Sequence, residues 1–559
     1  MLGAQTIERK LNVTPAISSQ MEEAIQLWAD MYKNQSPWLN EPTFENPVRV
    51  TSLGLPAMIA SEKARMVLLE FKSEITVPTK EVEIENPNYV EPKPDEFGNI
   101  IPSAEPKIIV EERMVGDDTR AKFLATQYAK LKRQLRKQLE YGIAKGGLVI
   151  KPFIVFTKLV DENGQEKQAA TMEFDFVQAD SFYPIAFNAA NDIVEAAFIE
   201  SKIDGNIIYR RLEYHKWEGN TVRIVNRAFM STDGNTNTGT SSVDLGKEIP
   251  LTDVPEWKDL QATTIIRNVT RPLFAYFKMP EANTVDTSSP LGVSGYSRAV
   301  NLIKDADMQY SRLLWEYEAG EMAVNVQRDA FKYLEDPENQ SHTVLGRMQE
   351  RLYRQIDVDE NDLFQEYAPM LRDNAFNDGL NTILMRIEDV CGISRGTLSD
   401  AANEARTATE LKILKQRSYQ TNAEIQAALE DTLRDVIYVM DVYCTLYNIT
   451  PPGEYDVSFE WDDSIIIDVD EELNKRVLLL NYNLSSRLET RMWYFGETER
   501  QAAEALAKID EETLQQQERD LVMQSNIGGN NNQFSKYSNS NSYNKNYAGR
   551  RDYDNPDEE

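Results

Sequence analysis

Side chains that could act as a general base or a nucleophile are scarce in this chain. Histidine occurs only at His215, inside an alternating strand pattern, and at His342, in a polar stretch. Cys391 and Cys444 are the only cysteines and form no CxxC pair. Cys391 has no histidine partner in its pattern, so a buried structural thiol is favoured over a nucleophile. The sequence predicts no catalytic residue.

Nucleotide and metal chemistry are not indicated either. The dipeptide Gly246-Lys247 is followed by Glu248, and Ser241 stands where a phosphate-binding loop requires its first glycine. A group of acids could in principle bind Mg²⁺ or Ca²⁺, but a solvated acidic rim is the favoured interpretation. Its members are Asp462, Asp463, Asp468 and Asp470. With 91 Asp and Glu residues, an acid pair cannot be singled out. We therefore predict neither a bound metal nor any other cofactor.

The chain is strongly acidic, with a formal net charge of −31 at pH 7. This negative net charge excludes a protein that binds nucleic acid over its whole surface, because such domains are basic. A channel wall along which DNA slides remains compatible, since acidic side chains repel phosphate and prevent adhesion. On charge alone, an ordinary acidic globular protein is the favoured alternative.

Length and hydropathy indicate a soluble protein of several domains. A chain of 559 residues predicts roughly two to four domains. Apolar runs such as Gly147–Phe156 are interrupted by Lys151 and are shorter than a membrane span. Met1–Thr14 is charged and lacks the apolar core of a secretory signal. We expect no membrane segment and a protein made and used inside a cell.

The elements of the first half predict an α+β fold. Helical spacing marks Ser18–Lys33 and Asp117–Lys145, and a proline-rich, acidic arm spans residues 78–106. After Gly146 the period becomes extended, and Asn163-Gly164 predicts a hairpin between Leu148–Lys158 and Thr171–Phe176. Residues 147–280 are therefore predicted to be antiparallel β structure.

The second half is mainly helical. Apolar stripes predict helices at Ser294–Gly320 and Asp373–Val390, with a mixed segment between them. A Gly- and Ser-rich break at Gly392–Arg406 precedes the longest helix, Thr407–Tyr447. Two short helices are predicted at Asp470–Leu480 and Thr498–Gln517, and a disordered Asn-rich tail at residues 525–559.

Four segments, in this order, resemble portal proteins of tailed bacteriophages, in particular the siphophage portal family of Gram-positive hosts. They are SLGLPAMIASEKARMVLLE (Ser52–Glu70), EYGIAKGGLVIKPF (Glu140–Phe153), VQADSFYPIAF (Val177–Phe187) and VCGISRGTLSDAANEARTATEL (Val390–Leu411). The order of helices from Ser294 to Tyr447 adds to the resemblance.

The resemblance implies a portal fold with a mixed α/β wing, a helical stem, a small α/β clip and a C-terminal helical crown. By position, the regions are the wing (1–293), the first stem helix (294–320), the clip (321–372), the second stem helix (373–391), a tunnel loop (392–406), the long helix with the wing return (407–469), the crown (470–524) and the tail (525–559).

The resemblance also implies a function and partners. A non-enzymatic homododecameric ring at one capsid vertex would conduct double-stranded DNA during packaging and ejection. Its partners would be the terminase large subunit, the major capsid and scaffold proteins, and the head–tail connector. The protein would reside in the virion, and in the host cytoplasm during assembly.

Carried onto this sequence, the tunnel loop offers sequence-independent contacts to DNA. Gly392 and Gly396 permit hinge dihedrals, and Asp400 and Glu404 oppose tight binding. The candidate contacts to phosphate are Arg395, Thr397, Ser399, Asn403 and Arg406. An ordinary connection between two helices remains the alternative for this loop.

Two other functions remain open. A different non-enzymatic virion structural or adaptor protein would share the acidic charge, but it would not need the order of elements from Ser294 to Tyr447. A carboxylate metal-dependent nuclease is the other alternative, and an assay of DNA cleavage with Mg²⁺ or Mn²⁺ distinguishes it.

Overall fold

Helices and antiparallel sheets alternate along the chain in the computed structural model, which confirms the α+β prediction. The structure describes residues 3–39, 49–69, 71–86, 89, 108–114, 118–160, 166–231, 245–327, 353–356, 364–400, 408–461, 469–482 and 484–527. Two compact units divide the chain, residues 1–466 and residues 467–559.

The described part of the chain contains ten α-helices. They are α1 (Ala4–Leu11), α2 (Ser19–Tyr32), α3 (Leu55–Val67), α4 (Thr119–Lys145), α5 (Val300–Ala319), α6 (Asp373–Cys391), α7 (Ala408–Leu446), α8 (Val469–Asn481), α9 (Arg487–Phe495) and α10 (Glu499–Ile527).

The strands are mostly paired with a near neighbour in sequence. They are β1 (Lys72–Thr76), β2 (Thr79–Glu85), β3 (Ile108–Met114), β4 (Gly147–Val160), β5 (Glu166–Gln178), β6 (Phe182–Phe187), β7 (Ile193–Asp204), β8 (Ile207–Glu218), β9 (Thr221–Ser231), β10 (Lys247–Ile249), β11 (Thr263–Arg267), β12 (Ala275–Lys278), β13 (Ala323–Gln327), β14 (Tyr353–Ile356), β15 (Phe364–Tyr367) and β16 (Asp456–Glu460).

Two antiparallel sheets form the middle of the first unit. The predicted hairpin is present as β4–β5, and β12 adds to β4 in the order β12-β4-β5. The second sheet has the order β10-β9-β8-β7-β6, with β11 on the same edge of β9 as β10. Helices α4 and α7 pack against the first sheet and cover its apolar residues.

Helices α5 and α6 run antiparallel. The guanidinium of Arg372, just before α6, donates to both carboxylate oxygens of Glu316, near the end of α5, at 3.0 and 2.8 Å. Between the two helices, β13 pairs in parallel with β14 and antiparallel with β15. The extended segment Ala323–Gln327 is therefore the central strand of a small sheet.

Helix α7 buries the apolar stripe that the sequence predicted. Ile425, Leu429, Leu433, Val436 and Met440 are all buried in the main core. Burial of one such side chain stabilises the fold by about 1.5–3 kcal/mol, so the stripe fixes the rotation of the helix about its axis.

The C-terminal end of α7 is set by its own backbone, before Pro451 is reached. Asn448 adopts φ +51°, its amide donates to Thr445 O, and the amide of Ile449 donates to Cys444 O. This is the Schellman pattern, with asparagine in the left-handed position. The helix therefore ends at Leu446.

The second unit corrects part of the sequence prediction. It contains three described helices, α8, α9 and α10, where two were expected. Ser486 and Glu489 form a capping box that starts α9. Helix α10 continues to Ile527, so Ser525–Ile527 belong to it, and not to a disordered tail. Helix α8 begins at Val469, one residue before the predicted start at Asp470.

Two features of the first unit also differ from expectation. The proline-rich arm begins with a strand, because β2 pairs with β3 across the full register from Thr79–Met114 to Glu85–Ile108. Residues 90–107 lie outside the described part. Helix α1 was not predicted. No helix among the described residues combines the length and the apolar composition that a membrane span requires.

Candidate nucleic-acid interface

Residues 392–406, which we call the 392–406 loop, join α6 to α7. Gly392 ends α6 with φ +67°, a left-handed conformation that favours glycine, and the amide of Ile393 donates to Glu388 O at 3.0 Å. Gly396 adopts φ +88°. Both predicted hinge glycines therefore lie at turns of the backbone.

The start of the loop folds around the side chain of Glu388. Its Oε1 accepts the amides of Leu398 and Ser399 at 2.6 and 2.9 Å. Its Oε2 accepts the Ser399 hydroxyl at 2.7 Å and the Gly396 amide at 3.3 Å. Glu388 is fully buried, with 0% of its surface exposed. A carboxylate that accepts several backbone amides is held by strong, charge-assisted hydrogen bonds.

A second set of contacts lies nearer the surface. Arg395 donates from Nε and Nη2 to the two carboxylate oxygens of Asp389, at 3.0 and 2.8 Å. These hydrogen bonds lower the pKa of Asp389 below its ordinary value. The Thr397 hydroxyl donates to Ser394 O at 2.6 Å, and the Asp400 amide donates to Asn381 Oδ1 at 2.9 Å.

The predicted DNA contacts fall into three groups. The side chains of Arg395 and Thr397 are exposed or half-exposed, although each makes a local hydrogen bond. Ser399 is buried and its hydroxyl is engaged by Glu388. Asn403 and Arg406 lie outside the described residues. The role of all five residues in binding DNA stays a prediction.

The sequence prediction missed Glu388. The residue stands four positions after Leu384 and eight after Leu380, in line with the apolar stripe of α6. An acid on the apolar face of a predicted helix could have indicated this contact. A carboxylate that is buried requires hydrogen-bond donors, and another segment of the chain must supply them.

The segment Gly392-Ile393-Ser394-Arg395-Gly396 matches the Gly-x-Ser-x-Gly pattern of a hydrolase nucleophile elbow. Such an elbow joins a strand to a helix. Here helix α6 precedes the segment. Ser394 accepts the Thr397 amide and hydroxyl through its own carbonyl, as in an ordinary turn.

Both thiols are buried among apolar groups. Burial raises the pKa of Cys391 to about 12 and that of Cys444 to about 11. Since the thiolate is the reactive form, neither cysteine is activated as a nucleophile near neutral pH.

His215 belongs to a buried ion-pair network between the two sheets. Its Nε2 lies 2.6 Å from Glu213 Oε1, and Lys151 Nζ lies 3.0 Å from Glu213 Oε2. Arg211 Nη2 completes the network at 3.1 Å from Glu213. Burial acts to raise the pKa of Glu213, but Lys151, His215 and Arg211 together hold it well below its ordinary range.

Burial lowers the pKa of His215, against the opposing effect of Glu213. The ring packs edge-on against Phe198 and Phe274, with centroids 5.3 and 5.8 Å away. Its Nδ1 has no hydrogen-bond partner in the described structure. A neutral ring that donates from Nε2 to Glu213 suits this site, whereas a proton on Nδ1 would have no acceptor.

Stability should therefore fall as pH drops below the ordinary histidine pKa of about 6.5, because only the unfolded chain binds the proton at residue 215. The expected slope from this one group approaches about 1.4 kcal/mol per pH unit. His215→Gln keeps an N–H donor for Glu213 and should flatten the slope between pH 7 and 5, measured by urea unfolding. His342→Gln is the matched control. Equal slopes in His215→Gln and the wild type would contradict the assignment.

A polar cavity of about 310 Å³ opens beside this network. Its lining includes Lys151, Arg211, Asp175, Glu200 and Glu213. These side chains pair with one another, as in Lys151–Asp175 at 3.0 Å and Arg211–Glu200 at 2.8 Å. The network joins the two sheets and is not arranged around a reacting group.

Within the parts of the chain that the structure describes, no group of three or more His, Cys, Asp or Glu side chains is arranged to hold a metal ion. Asp462, Asp463 and Asp468, which we considered as ligands, lie outside those parts, and the side chain of Asp470 does as well.

Comparison with known proteins gives the family. None of the curated proteins compared with this chain matches it. The family model described as phage portal protein, SPP1 Gp6-like, matches residues 130–519. That range contains the two sheets, the α5–α6 pair, the 392–406 loop, α7 and most of the second unit. Because the match covers more than half of its length, the chain belongs to the phage portal protein family, SPP1 Gp6-like.

Proposed function

We propose that this chain is the ring subunit of a phage portal. Copies would form a closed homododecameric ring at one capsid vertex, through which double-stranded DNA enters during packaging and leaves during ejection. The observation that carries the proposal is the family match over residues 130–519. The alternative of an adaptor protein does not explain that match.

The arrangement of elements supports an assignment of regions. The antiparallel pair α5–α6 is suited to be the stem, since both helices leave much of their surface exposed, and α6 is buried only at Ile387, Glu388 and Cys391. The small sheet β13–β15 lies between them in sequence and would be the clip. Residues 1–293, which include the β4–β12 region, would be the wing, and residues 470–524, with α8–α10, the crown.

Contact with DNA is assigned to the 392–406 loop. Arg395 and Thr397, together with Asn403 and Arg406, would touch phosphates without reading bases. Ser399 would act through the loop backbone, because its hydroxyl is held by Glu388. The charge of −31 would keep the duplex from adhering to the rest of the channel.

Partners follow from the same proposal. The clip would bind the terminase large subunit during packaging and the head–tail connector afterwards, and the wing would contact the major capsid and scaffold proteins. The protein would lie at the portal vertex of the virion, after assembly in the host cytoplasm. No catalytic activity is proposed for the chain itself, so the driving force would come from a separate ATPase.

Electron microscopy of the purified full-length protein tests the proposal. We expect closed rings whose central hole admits duplex DNA. Images should be taken over a range of protein and salt concentrations, since subunit association depends on both. A homogeneous monomer under all of those conditions would count against a portal ring.

A further inference from the structure

Helix α6 by itself does not explain why an acid stands at position 388. Glu388 lies in the last turn of α6, where the helix dipole disfavours a negative charge. It is also fully buried, although an isolated buried carboxylate is costly. Among the residues that the structure describes, it is the loop after the helix that offsets both costs, through three backbone amides and one hydroxyl.

The neighbouring acid provides a contrast. Asp389 is partly exposed and contacts the loop only through the side chain of Arg395. Glu388 instead binds the backbone of the loop at Gly396, Leu398 and Ser399. Side-chain ion pairs at the surface contribute little to rigidity, whereas buried amide–carboxylate contacts fix the path of the chain.

We propose that Glu388 is the positioning residue of the 392–406 loop. Its carboxylate locks Gly396–Ser399 onto the end of α6, so that this described start of the loop keeps one path and follows any movement of that helix. This inference rests on the proposed function only where it concerns DNA. The locking itself is a property of the chain.

Hydrogen exchange of the full-length protein tests the locking directly. In Glu388→Ala, the amides of Leu398 and Ser399 should exchange at least about tenfold faster, because their acceptor is gone. Asp389→Ala removes the adjacent charge and should leave both rates unchanged. Equal acceleration in the two alanine variants would overturn the proposal, and so would no change in Glu388→Ala.

The isosteric variant Glu388→Gln provides a second measurement if the alanine variant does not fold. Its carbonyl can still accept the Leu398 and Ser399 amides, whereas its NH₂ group cannot accept the Gly396 amide. Wild-type exchange at Leu398 and Ser399 is therefore expected, and any faster exchange at Gly396 should be small, because that amide also donates to the Ser399 hydroxyl oxygen at 3.3 Å. Faster exchange at Leu398 or Ser399 in this variant would contradict the assigned contacts.

Packaging by phage particles that carry each variant separates this inference from the proposed function. If Glu388 positions the loop on DNA, Glu388→Ala should lower the DNA content of heads together with the faster exchange. Faster exchange with normal packaging would retain the locking and refute its link to DNA. If shortening of the loop at residues 401–404 also left packaging normal, the proposed function of the loop would fail instead.

Discussion

Replacing Arg120 with alanine should lower the free energy of unfolding of the first unit by about 1.5–3 kcal/mol, the range for hydrogen bonds made by a charged group. Arg120 is buried, and its guanidinium donates to Thr450 O at 2.8 Å and to Pro451 O at 3.1 Å. It also donates to the carbonyl and the carboxylate of Asp441. The variant would remove the donor that these acceptors share, next to the place where α7 ends.

The location explains why an arginine stands there. Arg120 lies in the first turn of α4, where the helix dipole disfavours a cation, but it donates to Asp441 O near the C-terminal end of α7, where the dipole favours one. Lysine would keep the charge but not the planar set of donors, so Arg120→Lys should recover only part of the lost stability.

Arg271 is the matched control. It pairs with Asp435, also on α7, at 2.7 Å, but both side chains are about half exposed. Arg271→Ala should cost at most about 1 kcal/mol. Urea unfolding followed by tryptophan fluorescence measures both variants. A loss of similar size for Arg120→Ala and Arg271→Ala would refute the role of burial.

Shortening the 392–406 loop should reduce DNA packaging by at least about tenfold while rings still form, because loops held on a rigid scaffold carry contacts to ligands. Deleting residues 401–404 keeps Gly392–Asp400 and therefore keeps all the described contacts of Glu388. The readouts are ring yield by electron microscopy and the DNA content of heads from phage that carry the variant.

Deletion of four residues in the C-terminal tail, 538–541, is the control for a change in chain length. It should leave both ring yield and DNA content at wild-type values. Normal packaging by the loop variant would refute the assignment of DNA contact to this loop. Loss of rings in the loop variant would instead place the segment at a subunit contact.

Much of the local structure could be predicted from residue patterns. Asn163-Gly164 between two alternating runs predicted the β4–β5 hairpin, and the stripe Ile425–Met440 predicted the buried face of α7. These patterns depend on residues a few positions apart, which one helix turn or one strand places on the same face. Errors occurred where such patterns are weak, as in the short helix α9 and at the end of α10.

In the 392–406 loop, local residue patterns did not predict the side-chain contacts. Its glycines and polar residues correctly suggested a turn, and both Gly392 and Gly396 have positive φ. The sequence did not reveal that Ser399 faces a buried carboxylate, since composition gives no direction to a side chain. The hydrogen-bond donors for a buried acid lie on whichever segment folds back against it, and local sequence patterns do not identify that segment.

By itself, the sequence determined the α+β class, most of the helices and strands, and the scarcity of residues able to do chemistry. Only the tertiary structure decided which charges are buried and what they hold. Arg120 meets Asp441 across 321 positions, and Glu213 is held between Lys151 and His215. Local periodicity places a side chain on a face, but the partner across that face depends on topology and packing of the whole chain.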